Sequence, residues 1–107
     1  MVIRRFDVFE NPNPRTVRTV PYLMVLQSEL LDGLVTQVVV PLVKAGALGG
    51  KGATRLNPTL SIEGDEVVML TQQLGAVATG SLARRVSNLD HRREAIVGAL
   101  DFLFSGF

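Results

Sequence analysis

The chain reads as a mainly β protein in which a run of antiparallel strands is closed by a C-terminal helix. Three observations predict this class. β-branched and bulky apolar residues gather in short segments, most densely from Thr36 to Val43 (TQVVVPLV). Glu63-Gly64-Asp65-Glu66 sits between two further segments of that kind, which is a hairpin signal. Only from Leu89 onward do apolar residues recur at helical spacing: Leu89, Ile96, Leu100, Leu103 and Phe107 follow one another at intervals of 7, 4, 3 and 4.

Taken in order, Val2 to Glu10 alternates in part and predicts a first strand, ended by Asn11-Pro12-Asn13-Pro14, whose two prolines supply no amide donors. Val20 to Gln27 predicts the second strand. Ser28 to Gly33 predicts a turn, unusual in holding two adjacent leucines, Leu30 and Leu31. Thr36 to Val43 is the third strand; Pro41 within it costs a ladder bond and predicts an edge position or a bulge. Lys44 to Thr54 is too glycine-rich for a regular element and is expected to be mobile. Leu60 to Ile62 and Val67 to Thr71 form the hairpin, turning through Gly64-Asp65, and Leu74 to Leu82 predicts one more short strand. In the helix, Asp90 is placed to cap the first turn and Glu94 lies near the positive end of the helix dipole.

With 107 residues, one domain spanning 1–107 is expected. Hydrophobic residues make up 47%, charged residues 20%, and the mean hydropathy is +0.29. So apolar a small chain has surface to hide, which points to an oligomer. A net charge of +1 offers no bulk field for nucleic acid or acidic lipid. The absence of cysteine removes disulfide and thiolate chemistry and fits a reducing cytoplasm. No segment approaches the ~20 apolar residues that cross a bilayer, so no membrane association is expected.

No constellation predicts catalysis or a cofactor. Gly46-Ala47-Leu48-Gly49-Gly50-Lys51-Gly52 resembles a phosphate loop but has three residues before Gly-Lys instead of four, and Gly52 stands where Ser or Thr would reach magnesium. His91 is the sole histidine, and a metal would need further ligands at workable spacing. It reads as a surface residue of the first helical turn. Arg4-Arg5, Arg84-Arg85 and Arg92-Arg93 lie on unrelated elements and make a weak nucleic-acid signal. The last helical turn is apolar nearly all round, because Val97 and Phe104 add a second row and Phe102 a third. That is more than a helix packed on one sheet can bury, so the end serves a subunit interface or a probe inserted into another protein.

Four stretches, in order and at similar spacing, resemble the CcdB toxins. Val25-x-Gln27-Ser28-Glu29-Leu30-Leu31-Asp32 is similar to the family's strand and turn. Val40-Pro41-Leu42 matches its Ile-Pro-Leu. Ile62-x-Gly64-Asp65-Glu66 with Met69-x-Thr71 matches its central hairpin, and Leu89-x-His91-Arg92 with Ala99, Leu103, Phe104 and Gly106 matches its C-terminal signature. The resemblance runs nearly end to end and implies an SH3-like antiparallel β-barrel with a C-terminal helix, forming a homodimer. It implies the toxin of a toxin–antitoxin pair, without enzymatic activity or cofactor. Such a toxin enters the DNA gyrase A subunit dimer and traps the cleaved-DNA complex. It is countered by a cognate antitoxin through a disordered C-terminal segment, and meets DNA only through the antitoxin complex. By position, target contacts would fall on Leu30, Leu31, Asp101, Phe104, Ser105, Gly106 and Phe107. Ser105 stands where the family has a tryptophan, and Asp101 where it has a neutral asparagine. A toxin-fold protein that binds an antitoxin but spares gyrase, or has another target, is the alternative.

Overall fold

Nine consecutive residues with four valines and a leucine build the longest strand, β3 (Thr36–Lys44), and the rest of the sheet forms around it. The computed structural model describes residues 2–31, 33–48 and 54–106. β1 (Asp7–Glu10) and β2 (Tyr22–Val25) precede β3; β4 (Thr59–Ile62), β5 (Asp65–Met69), β6 (Gly75–Ala78) and β7 (Arg85–Asn88) follow it. α1 (Arg93–Ser105) closes the order. All pairings are antiparallel, in the order β4-β5-β3-β2-β1-β7, with β6 also on β3. The sheet curls strongly into a half-barrel.

β3 has β2 along one side, at Leu42 to Val39, and two successive neighbours along the other: β6 at Thr36 to Val39, then β5 at Leu42 to Lys44. Pro41 falls in the seam between β6 and β5. Against the edge or bulge expected from the sequence, it lies at neither, but where one neighbour leaves before the next arrives. Its carbonyl accepts the Leu70 N–H at 3.1 Å. Since a strand residue aims its N–H and C=O to the same side, the missing donor of Pro41 falls where no partner strand needs it.

Period-2 alternation sorts the apolar residues onto both sheet faces. Val8, Met24, Val40 and Leu42 join Leu60, Ile62, Val67 and Met69 on the concave face, where Ile96 and Ala99 of α1 cover them. Phe9, Val25 and Val39 pack on the opposite face with Ile3 and Leu82. Phe6, fully buried, adopts φ 70° at the entry to β1, a conformation unfavourable for a bulky residue. Two backbone bonds hold it there: its N–H donates to Val25 at 2.7 Å and its carbonyl accepts from Leu89 at 3.0 Å.

The hairpin is where the sequence places it, one residue out of phase. β4 and β5 pair from Ile62↔Asp65 outward, so the two central turn residues are Glu63 and Gly64. Their φ values of 50° and 86° are those of the mirror-image turn that follows strand twist. The segment expected as one strand from Leu74 to Leu82 is strand only over β6, then a single 3-10 turn, Thr79–Ser81. Ala45–Leu48 is likewise a 3-10 turn, and Gly49 to Ala53 of the glycine-rich stretch lie outside the described residues. β7 was not expected at all. Nor does Asp90 cap the helix: Asn88 Oδ1 accepts the Asp90 N–H at 2.8 Å, while the Asp90 carboxylate accepts from Arg93 Nη2 at 2.6 Å. A 3-10 turn, Asp90–Arg92, then leads into α1.

β7 is held to β1 through a buried polar knot. Asp7, 2% exposed, accepts the Arg4 N–H at 2.8 Å, Asn88 Nδ2 at 2.9 Å and Arg85 Nε at 3.1 Å. A buried carboxylate met by three donors is satisfied, and it ties the N-terminal segment, β1 and β7 together. Among the described residues no helix is long and apolar enough to cross a membrane.

Candidate functional site

Two exposed apolar features stand out on this scaffold. The first is the turn between β2 and β3. Ser28 shapes it: its hydroxyl accepts the Leu30 N–H at 3.1 Å and its carbonyl accepts the Leu31 N–H at 3.0 Å, giving the 3-10 turn Glu29–Leu31. In this turn Leu30 is 91% and Leu31 50% exposed. Burying either would be worth roughly 1.5–3 kcal/mol, so leaving both in water is a standing cost.

Side chains from both flanks hold the loop. Gln27 spans its base, donating to the Thr36 carbonyl at 3.3 Å and accepting from the Val38 N–H at 3.2 Å. From the other side Thr79 donates its hydroxyl to the Leu34 carbonyl and its N–H to the Val35 carbonyl, both at 2.8 Å. Leu34 and Val35 are themselves exposed, Val35 strongly. Sequence reasoning passed over this second pair because it runs directly into the β-branched strand. The available signal was the same as for Leu30-Leu31: large apolar residues beside a turn glycine.

The second feature is the end of α1. Leu89, Ile96 and Ala99 are fully buried, so the predicted stripe does face the core over the first turns. Beyond Leu100 the sheet no longer covers the helix. Leu103 is half-buried, while Asp101, Phe104, Ser105 and Gly106 are exposed, with Phe104 at 73%. Phe102 is turned aside beneath the Arg55 guanidinium, 4.8 Å from its ring centroid. Gly106 adopts φ 77° and its N–H donates to the Phe102 carbonyl at 3.0 Å, a left-handed stop that an L side chain would strain. Phe107 lies outside the described residues.

The helix itself contributes only negative charge at this end, beside the Arg55 guanidinium stacked on Phe102. α1 carries no basic residue in its last turn, so the partial negative charge of its carbonyls adds to the Asp101 carboxylate. A phenyl face, a carboxylate and a helix C-terminus together suit a guanidinium or ammonium group from a partner. His91 is exposed in the turn before α1. Among the described residues no three acidic, histidine or cysteine side chains gather as metal ligands.

Of the sequence-predicted contacts, Leu30, Leu31, Asp101, Phe104, Ser105 and Gly106 are therefore all exposed, in two patches of the chain. No hydrogen bond or ion pair among the described residues joins the turn to the helix end. A protein-family model described as "CcdB protein" matches residues 5–106.

Proposed function

The chain belongs to the CcdB family of toxins, and from that premise we propose that it binds the DNA gyrase A subunit as a homodimer and traps the complex in which DNA is cleaved. The chain itself does no chemistry in this reading: it acts by occupying space and by contact, in the cytoplasm where gyrase works. The observation that carries the proposal is the exposure of Leu30 and Phe104, large apolar side chains at the matched positions that the protomer leaves in water. Patches of that kind mark interaction sites more often than they mark accident. Dimerisation would bring two turns and two helix ends together, which one protomer does not do. The cognate antitoxin, through a disordered segment, would cover part of the same surface.

Ser105 bears on the mechanism. A stacked aromatic can anchor an interface by 2 kcal/mol or more, and a serine cannot replace it. Phe104 is the described aromatic at this end that is free to serve, with Asp101 attracting the cationic group it stacks on. The second reading, a toxin-fold protein that binds an antitoxin but spares gyrase, is favoured by Ser105 alone.

Purified gyrase, ATP and supercoiled DNA, titrated with the wild-type protein and with Phe104→Ala, test the proposal. Gyrase-linked cleaved DNA that appears with wild type and disappears with Phe104→Ala supports poisoning through the helix end. No cleaved DNA at any concentration of folded wild-type protein overturns it in favour of the second reading.

A further inference from the structure

Of the three arginine pairs scattered in the sequence, one whole pair and one member of each of the others converge in space. Arg4 and Arg5 on the N-terminal approach, Arg85 on β7 and Arg93 at the start of α1 line one open groove of about 1050 Å³. Two of the four are already neutralised, Arg85 by Asp7 at 3.1 Å and Arg93 by Asp90 at 2.6 Å. Neither Arg4 nor Arg5 has a carboxylate partner among the described residues. Arg5 is nonetheless held in place: its Nε donates to the Leu26 carbonyl at 2.9 Å and its guanidinium lies 4.8 Å from the Phe6 ring centroid. No hydrogen bond to a described residue uses its two terminal nitrogens, so a fixed fork is presented to the groove.

The same groove is walled by every residue of β7. β7 ends the sheet order, with β1 on one side and, among the described residues, no strand on the other. An edge strand offers outward N–H and C=O groups to any extended chain that can reach them.

We infer that this groove is a docking site for an extended peptide segment bearing carboxylates, which adds as a strand to the open edge of β7 while its acidic side chains meet Arg4 and Arg5. Main-chain bonds along β7 would supply affinity and the arginines the choice of partner. A nucleic acid fits less well. Asp7, Glu29 and Asp90 interleave with the four arginines, and this alternation repels a uniform polyanion. The aromatic rings next to the groove arginines, Phe6 and Phe9, are fully buried and so offer no face for a base to stack on. The groove reaches the β2–β3 turn at Glu29 but holds neither of its leucines and no residue of the helix end, so the peptide test reads it apart from gyrase binding.

The test uses a fluorescent eight-residue peptide alternating Glu and Val, titrated into the intact protein by anisotropy, with amide NMR shifts as a second readout. Binding should shift the amides of Arg85 to Asn88 and should weaken severalfold between about 0.05 M and about 0.3 M salt. Arg4→Glu, which removes no described side-chain contact, should weaken it about tenfold. A Lys/Val peptide should not bind, and backbone N-methylation of the Glu/Val peptide should abolish binding. Equal binding of the N-methylated peptide, or shifts confined to residues away from β7, would overturn strand addition. Tighter binding of inorganic phosphate or a short single-stranded oligonucleotide at the same residues would overturn the peptide assignment.

Discussion

Arg55 covers the ring of Phe102 at 4.8 Å, so of the two aromatic residues described near the end of α1 one is engaged within the chain and the other, Phe104, is left free. The pair clips the loop after the glycine-rich stretch onto the helix. Half-exposed cation–π contacts of this kind contribute about 0.5–1 kcal/mol. Arg55→Ala is expected to lower the unfolding free energy by that amount, read as a lower urea midpoint with an unchanged denaturant slope.

Phe104 and Ile96 lie on one helix but at opposite extremes of burial, 73% and 0% exposed. Phe104→Ala should leave protomer stability within about 0.5 kcal/mol, while Ile96→Ala should cost about 2–5 kcal/mol through the cavity it opens. Chemical denaturation measures both. The gyrase cleavage assay should respond to Phe104→Ala at a protein concentration where circular dichroism reports an intact fold.

Asp7 gathers three donors from two segments of chain, Arg4 on the N-terminal approach and Arg85 and Asn88 on β7. Asp7→Ala leaves Arg85 and Asn88 without their carboxylate and is expected to cost about 2–4 kcal/mol. Hydrogen exchange should show the loss first as faster exchange in β7, before any change in the β2–β3 pair.

Tyr22 donates its hydroxyl to Asp65 Oδ2 at 3.2 Å, tying β2 to the hairpin. Partial burial, then the bond to the carboxylate and the nearby charges of Asp65, Glu63 and Glu10, push its pKa above the ordinary 10.0. The folded state therefore holds the phenol proton more tightly than the unfolded chain does. The resulting stabilisation is complete below the unfolded pKa and is lost as pH rises through the folded one. Urea midpoints measured from about pH 9 to about pH 11 should fall less steeply for Tyr22→Phe than for wild type.

How far the sequence discloses the structure depends on whether the decisive contact is local. The hairpin at Glu63-Gly64 is legible because a glycine between two β-rich runs carries its own turn, and only the phase of the turn needed the structure. The helix is legible because Leu89, Ile96 and Leu100 share a face. β7 is not, because Arg85-Val86-Ser87-Asn88 contains a single apolar residue and becomes a strand through β1, far away in the chain. Pro41 misleads for the same reason: a lone proline predicts an edge, and the seam between β5 and β6 is a property of three strands at once. In the site, Leu30 and Leu31 announce themselves by being apolar in a turn. The arginine groove does not, since its members meet only after β7 has closed on β1.

That closure sets an order on assembly. Asn88 bonds Asp7 across 81 residues of chain, so β1 cannot complete its second edge until most of the polypeptide has been made. On a ribosome releasing the N-terminus first, β1 and β2 can pair early, yet the outer side of β1 stays unmatched through the synthesis of every strand in between. An unmatched strand edge invites pairing with a neighbouring nascent chain. Arg4, Arg5 and Asp7 flank that edge with charge, the kind of side chain that sheets place beside an open edge.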